Sequence, residues 1–417
     1  MGDVIDLQAR TGRRQQPATA ADTARRRLAA AAQAVGGRQQ LAAILTRSLG
    51  WTVRTSTLAA WESDVTPPAD VLLAAEEAAD EATAYGQATR SGTAAQASPV
   101  ASLARARLRA AGDHAASMES LRAQDLRVGG GHLYAAVVDY LATAVAPDLV
   151  ALDGGDGRSI FTAAAGLTEM AGWAAHDAGD DHAARAHFDR ALDLVAVGGD
   201  RQLCAHVHAS LSHLAHHRAQ PARGLVHVRR GLRALGRGPA VPELHGRLFA
   251  MQARAVAAQG DGPGAVALLL DAERALCAPG GGDRSPWISG FDIGSLAAEA
   301  ARCMRDVGDL AEMRRQAELI VASRPQDRAR SRAFGLLLLA DAAVRQGHPD
   351  EACDLVRHVL ASTQHLGSAL VVRQLGELAG RLGTYASRDQ VVSGTLEHLH
   401  EELRRRTWPA TPGMEGS

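Results

Sequence analysis

A run of histidines with one cysteine, in the middle of the sequence, has the residue types of a metal site. Its members are Cys204, His206, His208, His213, His216, His217 and His227. Cys204 and His208 are four residues apart, as are His213 and His217, and this spacing places two ligands on one face of a helix. No HExxH pattern accompanies them. The sequence therefore predicts no metal ion and no other cofactor; a metal-sensing or enzymatic use of this run is the alternative.

Catalytic motifs are also missing from the sequence. It contains no GxSxG, and no GxGxxG after a strand pattern. Gly129, Gly130 and Gly131 suggest a phosphate loop, but no strand precedes them and no GK[ST] follows. They are better explained as the end of a helix. We therefore expect a protein that is not an enzyme.

The composition favours helices throughout. Alanine is abundant, aromatic residues make up 3%, and every basic side chain is arginine. A chain of 417 residues is long enough for two or more domains. The expected fold class is all-α.

A spacing of small and large residues recurs through the C-terminal part. Around one Gly-Asp turn it places Gly172, Ala184, Phe188 and Ala191 where two packed helices would touch. The pattern resembles the tetratricopeptide repeat, although its period is 40 to 46 residues instead of about 34. Five copies are predicted, with a small anchor residue in the second helix of each, and a polar capping helix follows. The anchors are Ala184, Gly224, Ala265, Ala311 and Ala352. Such hairpins stack into a superhelix with a concave groove.

The first helices of these hairpins supply the candidate ligand-binding residues. They are Trp173, His176, His213, His217 and Arg254. A groove of this kind suits a peptide, a partner segment or a small molecule. Packing of Trp173 between repeats is the alternative.

A second recognisable stretch spans residues 38–68. Leu41, Ile44, Leu45 and Leu49 have helical spacing, Gly50 ends that helix, and a second helix is predicted over 55–63. Helices over 22–35 and from residue 70 flank the pair.

This layout resembles the lambda-repressor-like helix-turn-helix domains of the XRE family, although its turn is longer. The resemblance lies in Gln40-Leu41-Ala42, Leu49-Gly50, Ser56-Thr57-Leu58 and Trp61-Glu62. It implies that Leu58 and Trp61 face the core. An ordinary helical hairpin is the alternative.

The resemblance also implies a DNA-reading set. Thr55, Ser56 and Ala60 would meet base edges, together with Thr57, and Arg54 would reach phosphate or guanine. Arg38 and Gln39 would hold phosphate at a helix N-terminus. Nine arginines against one acid between residues 8 and 54 give this part the charge of a phosphate-binding face.

The predicted domain boundaries follow from composition. They are a flexible arm (1–20), a helix-turn-helix domain (21–85), a linker (86–99), a repeat domain (100–405) and a tail (406–417). No apolar run is long enough to span a membrane, so a cytoplasmic location is expected.

Together the two parts resemble actinobacterial one-component regulators. The expectation is a homodimeric transcription regulator that binds double-stranded DNA and senses a peptide or small-molecule ligand through its repeats. The alternative is a tetratricopeptide-like scaffold that binds protein partners without DNA.

Overall fold

The structure is a computed structural model. It describes residues 20–49, 51–88, 104–105, 107–108, 113–150, 157–236, 238, 240–281, 283–325 and 328–406. The predicted N-terminal arm and C-terminal tail lie almost wholly outside these residues, as do Gly50 and most of the predicted linker. The described residues form helices, turns and loops without a strand. The chain divides into two compact units, residues 1–92 and 93–417.

Four helices form the N-terminal unit. They are α1 (Ala20–Ala34), α2 (Arg38–Leu49), α3 (Thr55–Ser63) and α4 (Ala69–Ala88). Leu28, Leu45 and Leu58 are fully buried in a common core. Residues 86–88, predicted to begin a linker, instead complete α4. The helix therefore continues well beyond the leucines of its first turns.

The connection between α2 and α3 is held by one hydroxyl group. Thr46 Oγ1 accepts a hydrogen bond from Val53 N at 2.9 Å and donates to Val53 O at 3.3 Å. Val53 itself is buried. These contacts fix the residues just before α3 despite the longer turn.

The second unit begins with shorter elements and continues as six helical hairpins. First come α5 (His114–Val128), a 3₁₀ turn (Gly130–His132), α6 (Tyr134–Tyr140), a π-helical turn (Leu141–Val145) and α7 (Ala146–Val150). The hairpins are α8/α9 (Gly157–Asp177, Asp181–Gly198), α10/α11 (Arg201–His217, Pro221–Leu235), α12/α13 (Pro242–Ala257, Gly262–Cys277), α14/α15 (Ile293–Val307, Leu310–Ser323), α16/α17 (Ala329–Arg345, Pro349–Ser362) and α18/α19 (Ala369–Leu382, Gln390–Arg406).

Gly-Asp pairs end one helix of a hairpin and begin the next. Gly179 has φ +89°, a conformation that favours glycine, and the Asp180 side chain accepts from Ala183 N at 2.8 Å. Gly308 and Asp309 repeat the arrangement, with 3.0 Å to Glu312 N. Both turns agree with the prediction, because glycine permits the helix end and aspartate caps the following helix.

Most predicted anchors lie where the helices touch. Ala184, Ala265 and Ala352 are fully buried, and a Cβ on Gly172 would lie 2.5 Å from the Phe188 ring. The prediction of Ala311 as the fourth anchor was wrong. Ala311 is exposed, and Met313, two residues on, occupies the buried fourth position of its helix.

The number of hairpins also differs from the prediction. The segment predicted as a polar cap is α19, and its Val392, Leu396 and Leu399 are buried in a shared core. It pairs with α18 as a sixth hairpin. The polar residues of α19 hid this apolar stripe, which repeats every three or four residues.

Segments from opposite ends of the hairpin series meet directly. Gly131 N donates to Gly367 O at 3.0 Å, and Gly367 N donates to Val128 O at 2.7 Å. Added Cβ atoms on Gly129 and Gly131 would each lie 2.7 Å from Gly367 O. The three-glycine motif therefore ends α5 and also permits this close approach. The superhelix is closed on itself rather than open.

Candidate ligand-binding cavity

An internal cavity of about 440 Å³ lies on the concave side of the hairpins. All five predicted ligand-binding residues line it: Trp173, His176, His213, His217 and Arg254. They come from α8, α10 and α12, the first helices of three successive hairpins. Their role as ligand contacts stays a prediction. The structure shows that residues distant in sequence line one cavity.

The connection between α13 and α14 forms another part of the wall. Ser289, Gly290 and Phe291 line the cavity, and Ile288 is fully buried beside them. Gln202 anchors this connection, since its side chain donates to Asp283 O at 2.8 Å and accepts from Ser285 N at 2.9 Å. Residues 288–291 are not among the ligand-binding residues predicted from the sequence. The apolar residues of this connection were the signal that it packs inward.

Trp173 belongs to both the packing and the cavity wall. Its Nε1 donates to Glu169 Oε1 at 2.7 Å and to Ser210 Oγ at 3.1 Å. The ring centroid is 4.9 Å from that of His213 and 5.9 Å from that of Phe188. The ring is thus fixed by its neighbours, and the rest of its surface is available to the cavity.

Arginine is the most frequent charged residue of the wall, although Arg254 alone was predicted from the sequence. The eight are Arg247, Arg254, Arg302, Arg305, Arg324, Arg330, Arg373 and Arg381. The carboxylates of the wall are Asp177, Glu299, Asp341 and Glu377. The wall therefore carries a formal excess of positive charge.

Three cavity histidines add no charge near neutral pH. Burial lowers the pKa of His216 to about 4, with a further contribution from Arg254. Burial and the neighbouring His176 lower the pKa of His217 to about 4, and the pKa of His213 lies well below its ordinary value for the same reasons. The positive charge of these walls therefore comes from the guanidinium groups.

His176, Asp181 and His217 bring ligand atoms within 4.8 Å of one another. This set differs from the pairs expected from the sequence. Two nitrogens and one carboxylate suit a transition metal. However, His176 Nδ1 lies 2.6 Å from Asp181 Oδ1, and Arg373 hydrogen-bonds His217 Nε2. These atoms satisfy one another without an ion.

The structure places the predicted DNA-reading residues of the N-terminal unit on its surface. Thr55 and Ser56 are exposed with Arg54, while Thr57 and Ala60 are partly exposed. Leu58 and Trp61 point into the core.

Arg38 and Gln39, predicted to bind phosphate, are the first two residues of α2. Gln39 is exposed. Arg38 forms an ion pair with Glu62 at 2.5 Å, joining α2 to the end of α3. The pair raises the pKa of the Arg38 guanidinium through the hydrogen bond to Glu62.

No protein-family model matches this chain, and no curated protein sequence matches it. Among solved structures it is similar to the TPR domain of P58(IPK), at 13% sequence identity and a TM-score of 0.20. That match covers 73% of this chain and 97% of the other. At this TM-score the match supports no structural inference. The helix pairs, their turns and their small-residue contacts identify a protein of tetratricopeptide-like helical hairpins with an internal arginine-lined cavity. No helix among the described residues is long and apolar enough to cross a membrane.

Proposed function

We propose that this chain is a binding protein whose hairpin unit holds a ligand in the internal cavity. The observation that supports the proposal is the convergence of Trp173, His213 and Arg254, from three hairpins, on one cavity of about 440 Å³. Sites for small ligands have volumes of about 300–1,000 Å³ and combine apolar walls with a few fixed polar groups. The cavity has both.

Filling the cavity is expected to abolish binding. Ala298 lies on its wall, on α14, so Ala298→Trp would occupy the space. Ala267→Trp is the matched control, because Ala267 is exposed on α13. The measurement is ligand-observed NMR with a library of acidic, basic and neutral fragments. Fragments that bind the wild type and the control but not Ala298→Trp support the proposal. Equal binding to all three, or no binding, contradicts it.

DNA binding by the N-terminal unit is a second candidate function. It is supported by α3, where Leu58 and Trp61 are buried while Arg54, Thr55 and Ser56 remain exposed. Arg54 forms no ion pair with any described residue, so its charge is available to a phosphate or a base edge. With a ligand in the hairpin unit, this would make the chain a dimeric, ligand-responsive transcription regulator. The scaffold function without DNA needs only the hairpins.

Arg54→Ala is expected to weaken binding to DNA about tenfold, because one guanidinium contact contributes roughly 1–3 kcal/mol. Arg229→Ala, an equal change of charge at an exposed site on α11, should leave binding unchanged. Fluorescence anisotropy with genomic DNA fragments at several salt concentrations measures both. If the wild type shows no salt-dependent binding to any fragment, the DNA-binding proposal is wrong and the scaffold function without DNA is favoured.

A further inference from the structure

Buried arginines on the inner wall of the cavity outnumber the carboxylates that pair with them. Arg254 donates to Glu299 at 3.2 Å, and Arg302 donates to the other oxygen of the same carboxylate at 3.0 Å. Arg247 is the third member of this group, which we call the arginine cluster. It forms no salt bridge with a described carboxylate. The cluster thus holds three guanidinium charges, with Glu299 as the carboxylate in direct contact with two of them; Glu169 acts on Arg247 only at longer range.

Arg247 is held in place by neutral groups. Its Nη1 lies 3.1 Å from His206 Nδ1 and 3.3 Å from Ser289 Oγ, and its Cζ lies 5.6 Å from the centre of the Trp173 ring. Only 8% of the residue is exposed. Burial lowers the pKa of Arg247, with Glu169 and Glu299 acting in the opposite direction. Neither carboxylate is in direct contact with it.

Arg254 has unused hydrogen-bonding capacity in the same place. Its Nε is buried and has no partner among the described residues, while the residue is only 7% exposed. A buried donor without an acceptor is costly, as is a buried charge without a counter-charge. A molecule with acceptor oxygens bound in the cavity would supply the missing partner.

Four of the other five wall arginines form a salt bridge with a carboxylate. Arg324 meets Asp292 at 2.6 Å, Arg330 meets Asp125 at 2.5 Å, and Arg381 meets Asp341 at 3.1 Å. Arg305 meets Asp306 at 3.0 Å. Arg373 is exposed and hydrogen-bonds His217, and water screens its charge. Among the described wall residues, the buried guanidinium groups that outnumber their contacting carboxylates are therefore those of the arginine cluster, beside the Trp173 ring.

We infer that the arginine cluster is an oxyanion subsite, in which Arg247, Arg254 and Arg302 bind a phosphate or carboxylate group of a small organic ligand. A planar guanidinium donates two parallel hydrogen bonds to either group. Trp173 and Phe291 form the adjoining apolar wall, which suits a ring or a hydrocarbon part of the same molecule. This inference rests on the proposed function and adds the charge class of the ligand.

Isothermal titration calorimetry of the full chain with inorganic pyrophosphate, ADP and citrate tests the inference. We expect at least one of them to bind at one site per chain. Arg247→Met should weaken that binding about 30-fold or more, because a buried charge contact is lost. Arg247→Lys keeps the charge but loses the planar guanidinium fork. Its affinity should lie between those of the wild type and Arg247→Met. Binding of pyrophosphate or ADP alone identifies phosphate, and binding of citrate alone identifies carboxylate.

Arg305→Met is the matched control. Arg305 also lines the cavity, but it is paired with the adjacent Asp306 at 3.0 Å and is more exposed. Loss of the Arg305 guanidinium should change the affinity for the bound anion about threefold or less. Arg247→Met should fold normally and melt within a few degrees of the wild type without ligand, since the change removes a buried charge that contacts no carboxylate among the described residues.

Two results would overturn the inference. Equal weakening by Arg305→Met and Arg247→Met would show general attraction of anions instead of a defined subsite. Absence of binding by all three anions would also overturn it. In that case, fragments that still distinguish the wild type from Ala298→Trp would leave the proposed function standing with a ligand of another class.

Discussion

Replacing Arg330 with methionine is expected to lower the free energy of unfolding of the hairpin unit by about 3–5 kcal/mol, because two carboxylates would lose their counter-charge. Arg330 Nη1 donates to Asp125 at 2.7 Å and to Asp177 at 2.9 Å, and its Nη2 donates to Asp125 at 2.5 Å. Asp177 is 2% exposed. It also accepts from Gly130 N at 2.7 Å and from Ser368 Oγ at 2.6 Å.

These contacts join parts of the chain that lie far apart in sequence. The two carboxylates raise the pKa of Arg330 above its ordinary value although burial opposes this, so the guanidinium is charged at every accessible pH. Loss of the arginine should therefore also loosen the junction of Gly367 with Val128 and Gly131.

Urea unfolding followed by circular dichroism gives the stability change, and hydrogen exchange at Gly367 gives the local effect. Arg345→Met is the control, since Arg345 is exposed and forms an i,i+4 pair with Asp341, which Arg381 also contacts. It should cost less than about 1 kcal/mol. Adding Asp125→Asn and Asp177→Asn to Arg330→Met should restore part of the stability. An Arg330→Met loss as small as that of Arg345→Met would contradict the importance of this junction.

Mild acid is expected to destabilise the hairpin unit because several histidines are buried in the neutral form. Burial lowers the pKa of His206, His213, His216 and His217. Their pKa in the unfolded chain is near 6.5. The unfolded chain therefore takes up protons first as the pH falls. The stabilisation is fully present above about pH 6.5 and is lost between there and the lower folded pKa, which for His216 is about 4.

Each such histidine should lower the stability by roughly 1.4 kcal/mol per pH unit within that window. His216→Gln removes one titrating group, and glutamine retains a donor for Met251 O, which His216 Nε2 approaches at 2.9 Å. We expect this variant to reduce the stability difference between pH 7 and pH 5 by roughly 2 kcal/mol. Urea unfolding at both pH values is the measurement. His398→Gln, at an exposed site on α19, should leave the difference unchanged; the idea is wrong if the two variants behave alike.

The local features of this protein were predictable from its sequence. α3 begins at Thr55 and ends at Ser63, as its residues predict, and the Gly-Asp turns lie where they were expected. Buried small residues such as Ala184 and Ala352 mark the helix contacts. These features depend on neighbours within about one or two turns of the same helix pair, and such information is carried by residue spacing.

Met313 shows where residue spacing alone does not predict which side chain is buried. The small-residue pattern pointed to Ala311, but the register of α15 is set by the helices against which Met313, Ala317 and Ile320 pack. Similarly, the apolar stripe of α19 was hidden among polar residues until α18 was placed beside it. In both cases the partner surface, rather than the segment itself, decides which residues are buried.

The sequence by itself determined the all-helical hairpins, their turns, and one tryptophan, three histidines and one arginine of the cavity. Only the tertiary structure decided that the hairpins close, that the segment around Phe291 enters the concave side, and which arginines have a carboxylate. Arg330 and Asp125 are 205 residues apart. A helix forms through contacts within a few residues, whereas the pairing of buried charges depends on which distant segments the fold brings into contact. For that reason, only the folded chain reveals that Arg247 hydrogen-bonds His206 and Ser289 and contacts no carboxylate among the described residues.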